Sequence, residues 1–315
     1  MSFKSLNPIG LTMPEPALKY IDCPDANGGH RMAYWQWGHP AGRHVVVCAH
    51  GLSRQGRDFD VLAQALCAHA DSDLRVICPD VAGRGESDWL KDPMGYQVPA
   101  YAADMLALLG QLHAQAPMVT LDWLGTSMGG LIGIIVCGQP GLPLPVNVRK
   151  LVLNDVGPAI EWQALERIGA YLGQSKQFGS VRDAADAMWA VSTGFGPHTP
   201  EQWLALSQPM LRPVSGGTDT AWRLHYDPAL ALPFKLATQE ATQQGAVTLW
   251  QLYDNIKAQT LLLRGMHSDL LSPETAHAMT QRGPHARLVE FAGVGHAPTL
   301  VTREQVTVVT DFLLG

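Results

Sequence analysis

Three residues of this chain occur in patterns that suit nucleophilic catalysis. Ser127 lies in the run Gly125–Gly129, His296 lies in the glycine-containing run Gly293–Ala297, and Asp269 follows an apolar run. A histidine can accept the serine proton as a general base, and a carboxylate can hold the histidine in the required tautomer. The chain order serine, aspartate, histidine is known for such triads. We therefore expect Ser127, His296 and Asp269 to form a catalytic triad.

The Ser127 motif predicts a sharp turn between a strand and a helix. It follows the apolar run 119–123 and precedes the apolar run 131–137. Glycines at positions 125 and 129 allow the backbone to fold tightly and to expose the serine hydroxyl. A Gly-X-Ser-X-Gly pattern alone is common by chance. The flanking elements and the other motifs favour the catalytic interpretation.

A second motif, His50-Gly51-Leu52, follows the apolar run Val45–Ala49. A nucleophilic serine needs N–H donors for the oxyanion of its tetrahedral intermediate. We expect these donors to be the N–H groups of Leu52 and Met128. His50 is expected to brace the loop rather than to transfer protons. Arg54 could recognise a substrate carboxylate, but a structural salt bridge is the favoured interpretation.

Other polar residues compete for these roles. Asp155 also follows an apolar run and is the alternative acid, although Asp269 is preferred and Asp155 is expected to anchor the entry into an inserted segment. His267, close to Asp269, is expected at the surface or behind the catalytic groups. The polar, glycine-containing turn Asp80–Asp88 is expected to brace the loops around the site.

The elements that must position these residues alternate along the chain. Continuous apolar runs predict strands buried on both faces, as in a parallel sheet. They lie at 45–49, 75–78, 119–123, 151–153 and 261–263, with an earlier strand at 31–37. Apolar residues at helical spacing, such as those from Phe59 to Leu66 and from Met105 to Leu112, predict helices that pack on this sheet. Strand–helix alternation predicts an α/β, doubly wound sheet.

The alternation stops after Leu153. Helical patterns separated by Gly, Pro and Ser predict an α-helical cap over residues 158–245, with residues 1–157 and 246–315 forming the core. This insertion contains four tryptophans, and a fifth follows it. Most are expected to fill the small core of the cap, and one or two could line an apolar pocket: Trp162, Trp189, Trp203, Trp222 and Trp250.

Length and composition limit the class of protein. A chain of 315 residues can bury a large core without metals or disulfides. Its net charge of −6 argues against nucleic acid or anionic membrane as partners. Five cysteines without a CxxC pair suggest reduced thiols and a cytoplasmic location. The N-terminal run 1–16 lacks the apolar stretch of a secretory signal.

Together these motifs resemble the α/β-hydrolase superfamily, and especially its capped bacterial serine hydrolases and esterases. The resemblance extends from about residue 31 to 314 and implies a mostly parallel sheet of eight strands. Serine at position 127 differs from the aspartate nucleophile of dehalogenases and epoxide hydrolases. The HGGG-type loop of one lipase branch is absent. Leu52-Ser53-Arg54 and Ala297 differ from the usual pattern of C–C hydrolases.

The leading functional hypothesis is hydrolysis of a small or medium carboxylic ester through an acyl-enzyme, without metal or organic cofactor. Lactones, thioesters and amides use the same chemistry. Two alternatives remain: C–C bond or enol-lactone hydrolysis in aromatic catabolism, and a ligand-binding scaffold on a hydrolase fold. The sequence does not determine the oligomeric state.

Overall fold

A computed structural model describes residues 15–70, 73–214 and 221–315 of the chain. The expectation for the N-terminal run therefore lies almost wholly outside the described residues. The strands of the described part are, in chain order, β1 (Ala17–Cys23), β2 (His30–Gly38), β3 (His44–Ala49), β4 (Leu74–Pro79), β5 (Thr120–Thr126), β6 (Val148–Asn154), β7 (Gln177–Phe178), β8 (Leu211–Pro213), β9 (Trp222–Leu224), β10 (Gln259–Gly265) and β11 (Arg287–Phe291).

The α-helices connect these strands and cover them. They are α1 (Asp60–His69), α2 (Val98–Gln115), α3 (Met128–Gly138), α4 (Trp162–Tyr171), α5 (Val181–Ala190), α6 (Pro200–Ser207), α7 (Ala231–Leu236), α8 (Gln239–Asn255), α9 (Pro273–Gln281) and α10 (Arg303–Leu314). Within the described ranges, no helix has the length and apolar character needed to cross a membrane.

Eight strands form one sheet in the order β1-β2-β4-β3-β5-β6-β10-β11. The pairs β1–β2 and β2–β4 are antiparallel, and the other neighbours are parallel. The predicted fold class, a doubly wound and mostly parallel sheet of eight strands, is confirmed. Strand β1 was not predicted, because it is an edge strand whose charged residues interrupt any apolar run.

Strand β3 shows why the central strands are apolar throughout. Val45 and Val47 face one hydrophobic cluster, whereas Val46 and Cys48 face the other. Helices α2, α3 and α8 contribute to the first cluster, and α1 and α10 contribute to the second. Both faces of the strand are therefore shielded from solvent, and a polar side chain at any of these positions would be buried. All five cysteines of the chain are free thiols.

The segment between β6 and β10 is less purely helical than expected. Helices α4, α5 and α6 lie within the segment 158–245 predicted to be helical, but β7, β9 and β8 form a small antiparallel sheet that was not predicted. These strands have two or three residues each, which is too short for a periodic signal. Helix α8 begins at Gln239, runs past the expected boundary at 245, and packs against α3 of the core.

The turn that carries Ser127 depends on glycine at position 129. Gly129 lies in the first turn of α3, directly against the end of β3. A Cβ atom at Gly129 would overlap the backbone carbonyl of Ala49. Because a backbone carbonyl in a central strand cannot move aside cheaply, glycine is required for the close approach of α3 to the sheet.

We expect Gly129→Ala to lower the free energy of unfolding by about 1–3 kcal/mol or more, through this overlap. Gly110→Ala is the matched control, since Gly110 lies in α2, is exposed, and would place its Cβ in open space. That control should stabilise the protein by roughly 0.5–1 kcal/mol, through helix propensity. Urea unfolding measures both, and equal effects would contradict the packing argument.

Candidate active site

Ser127 lies at the tip of a tight turn between β5 and α3. Its backbone has φ 52° and ψ −117°, a conformation that L residues rarely adopt. The turn is held from both sides: the Ser127 N–H donates to Asn154 O (3.0 Å), and the Ser127 carbonyl accepts from Gly130 N (2.8 Å). Strain of this kind persists only where the surrounding structure enforces it. The serine hydroxyl is thereby directed away from the sheet.

A continuous chain of hydrogen bonds links Ser127, His296 and Asp155. His296 Nε2 lies 3.0 Å from Ser127 Oγ, and His296 Nδ1 lies 2.7 Å from Asp155 Oδ2. The Asp155 carboxylate can only accept, so Nδ1 carries the proton and Nε2 is free to accept the serine proton. The Asp155 side chain is fully buried, and 11% of the His296 side chain is exposed. This is the geometry of a nucleophile, a base and an orienting acid.

The predicted acid, Asp269, does not contact His296. Its carboxylate receives two hydrogen bonds from Arg167, at 2.6 and 2.9 Å, and almost half of its side chain is exposed. The preference for Asp269 over Asp155 was therefore wrong. Both residues follow neighbouring strands of the sheet, β6 and β10. Asp269, however, lies four residues beyond the end of β10, where the loop carries it to the surface.

Asp155 comes directly after β6, and its position is enforced. Its φ of 56° directs the side chain toward the loop after β10, and its N–H donates to Leu263 O (2.8 Å). The carboxylate accepts hydrogen bonds from Gly265 N (2.8 Å) and Ser268 Oγ (2.6 Å) in addition to His296. Three donors satisfy a buried charge that would otherwise be costly.

Two further residues that sequence reasoning missed hold this arrangement together. Ser268 donates to the same Asp155 oxygen that His296 contacts. Asn154 donates from Nδ2 to Thr126 Oγ1 (3.0 Å) and to Pro298 O (2.8 Å), so it joins the serine turn to the histidine loop. A polar side chain directly after the apolar run 151–153 was the available signal for Asn154.

The two residues predicted to supply the oxyanion donors both lie near the serine. Leu52 lines the same cavity as Ser127, and Met128 is the first residue of α3, where a helical N–H has no intrahelical acceptor. Buried Arg84 braces both segments, since Nε donates to Leu52 O (2.8 Å) and Nη2 lies 3.4 Å from Met128 Sδ. Arg84 belongs to the turn 80–88, which thus braces the site as expected.

His50 is fully buried and makes two hydrogen bonds to backbone. The Val81 N–H donates to Nε2 (2.9 Å), so Nδ1 must carry the proton that is donated to Gly51 O (2.7 Å). Burial lowers the pKa of His50 to about 3, so the ring stays neutral in the folded protein. The expectation that His50 braces the loop agrees with these contacts.

A cavity of about 180 Å³ opens above Ser127. Its apolar lining comes largely from the segment between β6 and β10 and includes Ile168, Met188, Val191, Phe195, Met210 and Leu224. None of the five tryptophans considered above is among the described lining residues; Trp189 and Trp203 pack together instead, with ring centroids 5.0 Å apart. Arg54 also borders the cavity but forms a bidentate salt bridge with Asp58 (2.6 Å), as expected.

Comparison with known proteins agrees with this architecture. Residues 46–308 match the model of the alpha/beta hydrolase family, so the chain belongs to that family. It is 48% identical to a 3-hydroxybutyrate-oligomer hydrolase of Cupriavidus necator over 300 residues, which cover 95% of this chain and 98% of the relative. The chain is therefore a hydrolase by family and by similarity.

Two other proteins are similar to this chain over most of its length. An alpha/beta hydrolase structure from Novosphingobium aromaticivorans is 33% identical and superposes with a TM-score of 0.79, covering 96% of this chain and 99% of that one. A proline iminopeptidase of Lactobacillus delbrueckii is 27% identical over 276 residues, covering 83% of this chain and 86% of the relative. Membership of the family thus does not specify the bond that is cleaved.

The buried, neutral His50 makes stability depend on pH. The unfolded chain binds a proton at His50 below about pH 6.5, whereas the folded protein does so only near pH 3. The contribution is therefore present above pH 6.5 and is lost as the pH falls, by about 2 kcal/mol between pH 8 and pH 5. In His50→Gln, which can still accept from Val81, this part of the decrease should vanish. Denaturant unfolding at both pH values tests it, and parallel pH profiles would contradict it.

Proposed function

We propose that this protein hydrolyses carboxylic esters with Ser127 as nucleophile, His296 as general base and Asp155 as the residue that orients His296. The observation that carries the proposal is the hydrogen-bonded chain from Ser127 Oγ through His296 to buried Asp155. It lies at the floor of a largely apolar cavity of a size suited to a small substrate.

Each step follows from these positions. Ser127 Oγ attacks the ester carbonyl carbon while His296 Nε2 takes its proton, and the N–H groups of Leu52 and Met128 hold the oxyanion. The imidazolium, stabilised by Asp155, then returns the proton to the departing alcohol oxygen. The resulting acyl-enzyme is hydrolysed by water, which His296 deprotonates in the same way, and free Ser127 is restored.

The substrates we propose are short, linear oligomers of 3-hydroxybutyrate or similar hydroxy acids. The support is the similarity over nearly full length to the Cupriavidus necator hydrolase. Such a substrate is small, mostly aliphatic and built from ester bonds, which matches a cavity lined by Ile168, Met188 and Val191. No contact in the described residues favours the C–C hydrolase or the scaffold alternative.

We further propose that the segment 158–245 acts as a cap that selects substrates by size. Its backbone reaches the catalytic loop, since Gly295 N donates to Gly194 O (2.5 Å). Residues of α4, α5 and β9 line the cavity above Ser127. A cover at this position excludes water from the acyl-enzyme and limits the acyl length. Short oligomers should therefore be cleaved faster than polymer or long-chain triglycerides.

Ser127→Ala should abolish hydrolysis of a linear 3-hydroxybutyrate trimer and of p-nitrophenyl butyrate, with a loss of roughly 10⁶ in kcat. A serine-directed phosphonate should add its mass to the peptide that contains Ser127. The control Ser192→Ala removes another serine of the same cavity and should still be labelled. Labelling that persists in Ser127→Ala would identify a different nucleophile and overturn the assignment.

The two aspartates can be separated by a matched pair of variants. Asp155→Asn should lower kcat by about 10⁴, because the amide favours the wrong tautomer of His296. Asp269→Asn should change kcat only a few-fold, because it removes a half-exposed salt bridge with Arg167. Steady-state kinetics on p-nitrophenyl butyrate compares them. The reverse order would restore Asp269 as the acid.

A further inference from the structure

A second pocket, which we call the cationic pocket, adjoins the catalytic cavity. It has a volume of about 100 Å³ and includes Trp89, Lys176 and Arg223 in its lining. Four residues line both spaces: Gln174, Lys176, Leu224 and Tyr226. Because the two spaces share these residues, the cationic pocket lies directly beside the space that a linear substrate would occupy at Ser127.

Arg223 of the cationic pocket lies opposite a second arginine, Arg212, in the small sheet. Arg212 of β8 pairs directly with Arg223 of β9, so both side chains lie on the same face. Like charges directly opposite each other destabilise a sheet. The Trp89 ring lies 4.9 Å from the Arg212 guanidinium carbon and 6.0 Å from that of Arg223, so it offers a flat surface to both.

The charge of Arg212 is poorly compensated. Its Nε is buried and has no hydrogen-bond partner among the described residues. Burial lowers the pKa of Arg212, and the neighbouring charge of Arg223 lowers it further. Glu86 and Asp227 act in the opposite direction, but neither comes within salt-bridge distance in the described structure. Asp227 already accepts from Tyr96 Oη (2.6 Å).

The two arginines that line the catalytic cavity differ in this respect. Arg54 is neutralised by Asp58 and Arg167 by Asp269, each at 2.6 Å. In contrast, no carboxylate of residues 15–70, 73–214 and 221–315 forms a salt bridge with Lys176, Arg212 or Arg223. Lys176 and Arg223 of the cationic pocket, and Arg212 beside Trp89, thus form a group of cations without a salt-bridge partner in these ranges, in a protein whose net charge is −6.

We propose that the cationic pocket binds the terminal carboxylate of a linear hydroxy-acid oligoester whose ester bond lies at Ser127. This inference rests on the proposed function. In such an oligomer the free carboxylate lies on the fragment that contributes the alcohol oxygen of the ester bonds near that end. The acyl part stays on Ser127, and the hydroxy-acid fragment that carries the carboxylate accepts the proton from His296 and leaves through this side. Cleavage therefore starts from the carboxyl end of the oligomer.

The test compares a linear 3-hydroxybutyrate trimer as the free acid with its methyl ester. The native enzyme should prefer the free acid in kcat/KM by about tenfold or more, because a carboxylate paired with a guanidinium is worth that much. Arg223→Gln should reduce this preference about tenfold, through KM rather than kcat. Arg223→Lys retains the charge and should retain most of the preference.

Arg287→Gln is the control, because it removes an exposed positive charge on β11, away from the pocket. It should leave the preference and both rates unchanged. If the native enzyme cleaves both trimers equally well, or Arg223→Gln keeps the full preference, the carboxylate site is refuted while the ester hydrolase stands. If neither trimer is cleaved although p-nitrophenyl butyrate is, the proposed oligomer substrate fails together with this site.

Discussion

The site depends on the hydrogen bonds that the buried carboxylate of Asp155 accepts. This carboxylate joins three groups that lie 110, 113 and 141 residues further along the chain: Gly265, Ser268 and His296. A fully buried charge is tolerated only when donors surround it, so these segments must meet for the fold to be stable. The hydrogen bonds that stabilise the buried carboxylate therefore include the one that orients the histidine.

The loops around Ser127 depend on the same principle of satisfied buried polar groups. Arg84 reaches Leu52 and Met128, and His50 joins Gly51 to Val81. In the described part of the chain, neither side chain forms a hydrogen bond with Ser127 or His296. Both fix the backbone segments that carry the N–H groups we propose for the oxyanion, and such preorganisation is what makes oxyanion donors effective. The polar turn 80–88 is thus part of the support of the site.

The segment between β6 and β10 and the core contribute different parts of the site. The core supplies Ser127, His296 and Asp155, whereas the inserted helices and the small sheet supply much of the cavity wall. Relatives that share the core cleave different bonds, as the names of the Cupriavidus and Lactobacillus proteins indicate. The opposed pair Arg212 and Arg223 is an unfavourable arrangement of like charges, and it agrees with the carboxylate site that we propose.

The sequence by itself determined the elements whose signals are local. The apolar runs predicted the central strands, and Gly125–Gly129 predicted the turn that exposes Ser127, because glycine spacing and strand–helix order act over a few residues. The edge strand β1 and the short strands β7, β8 and β9 lack such a signal, since exposure and length remove the pattern.

Only the tertiary structure decided between Asp155 and Asp269. Both follow strands that are adjacent in the sheet, and sequence spacing does not tell which side chain points inward. The left-handed backbone at Asp155 directs its carboxylate to His296, whereas the loop beyond β10 carries Asp269 outward to Arg167.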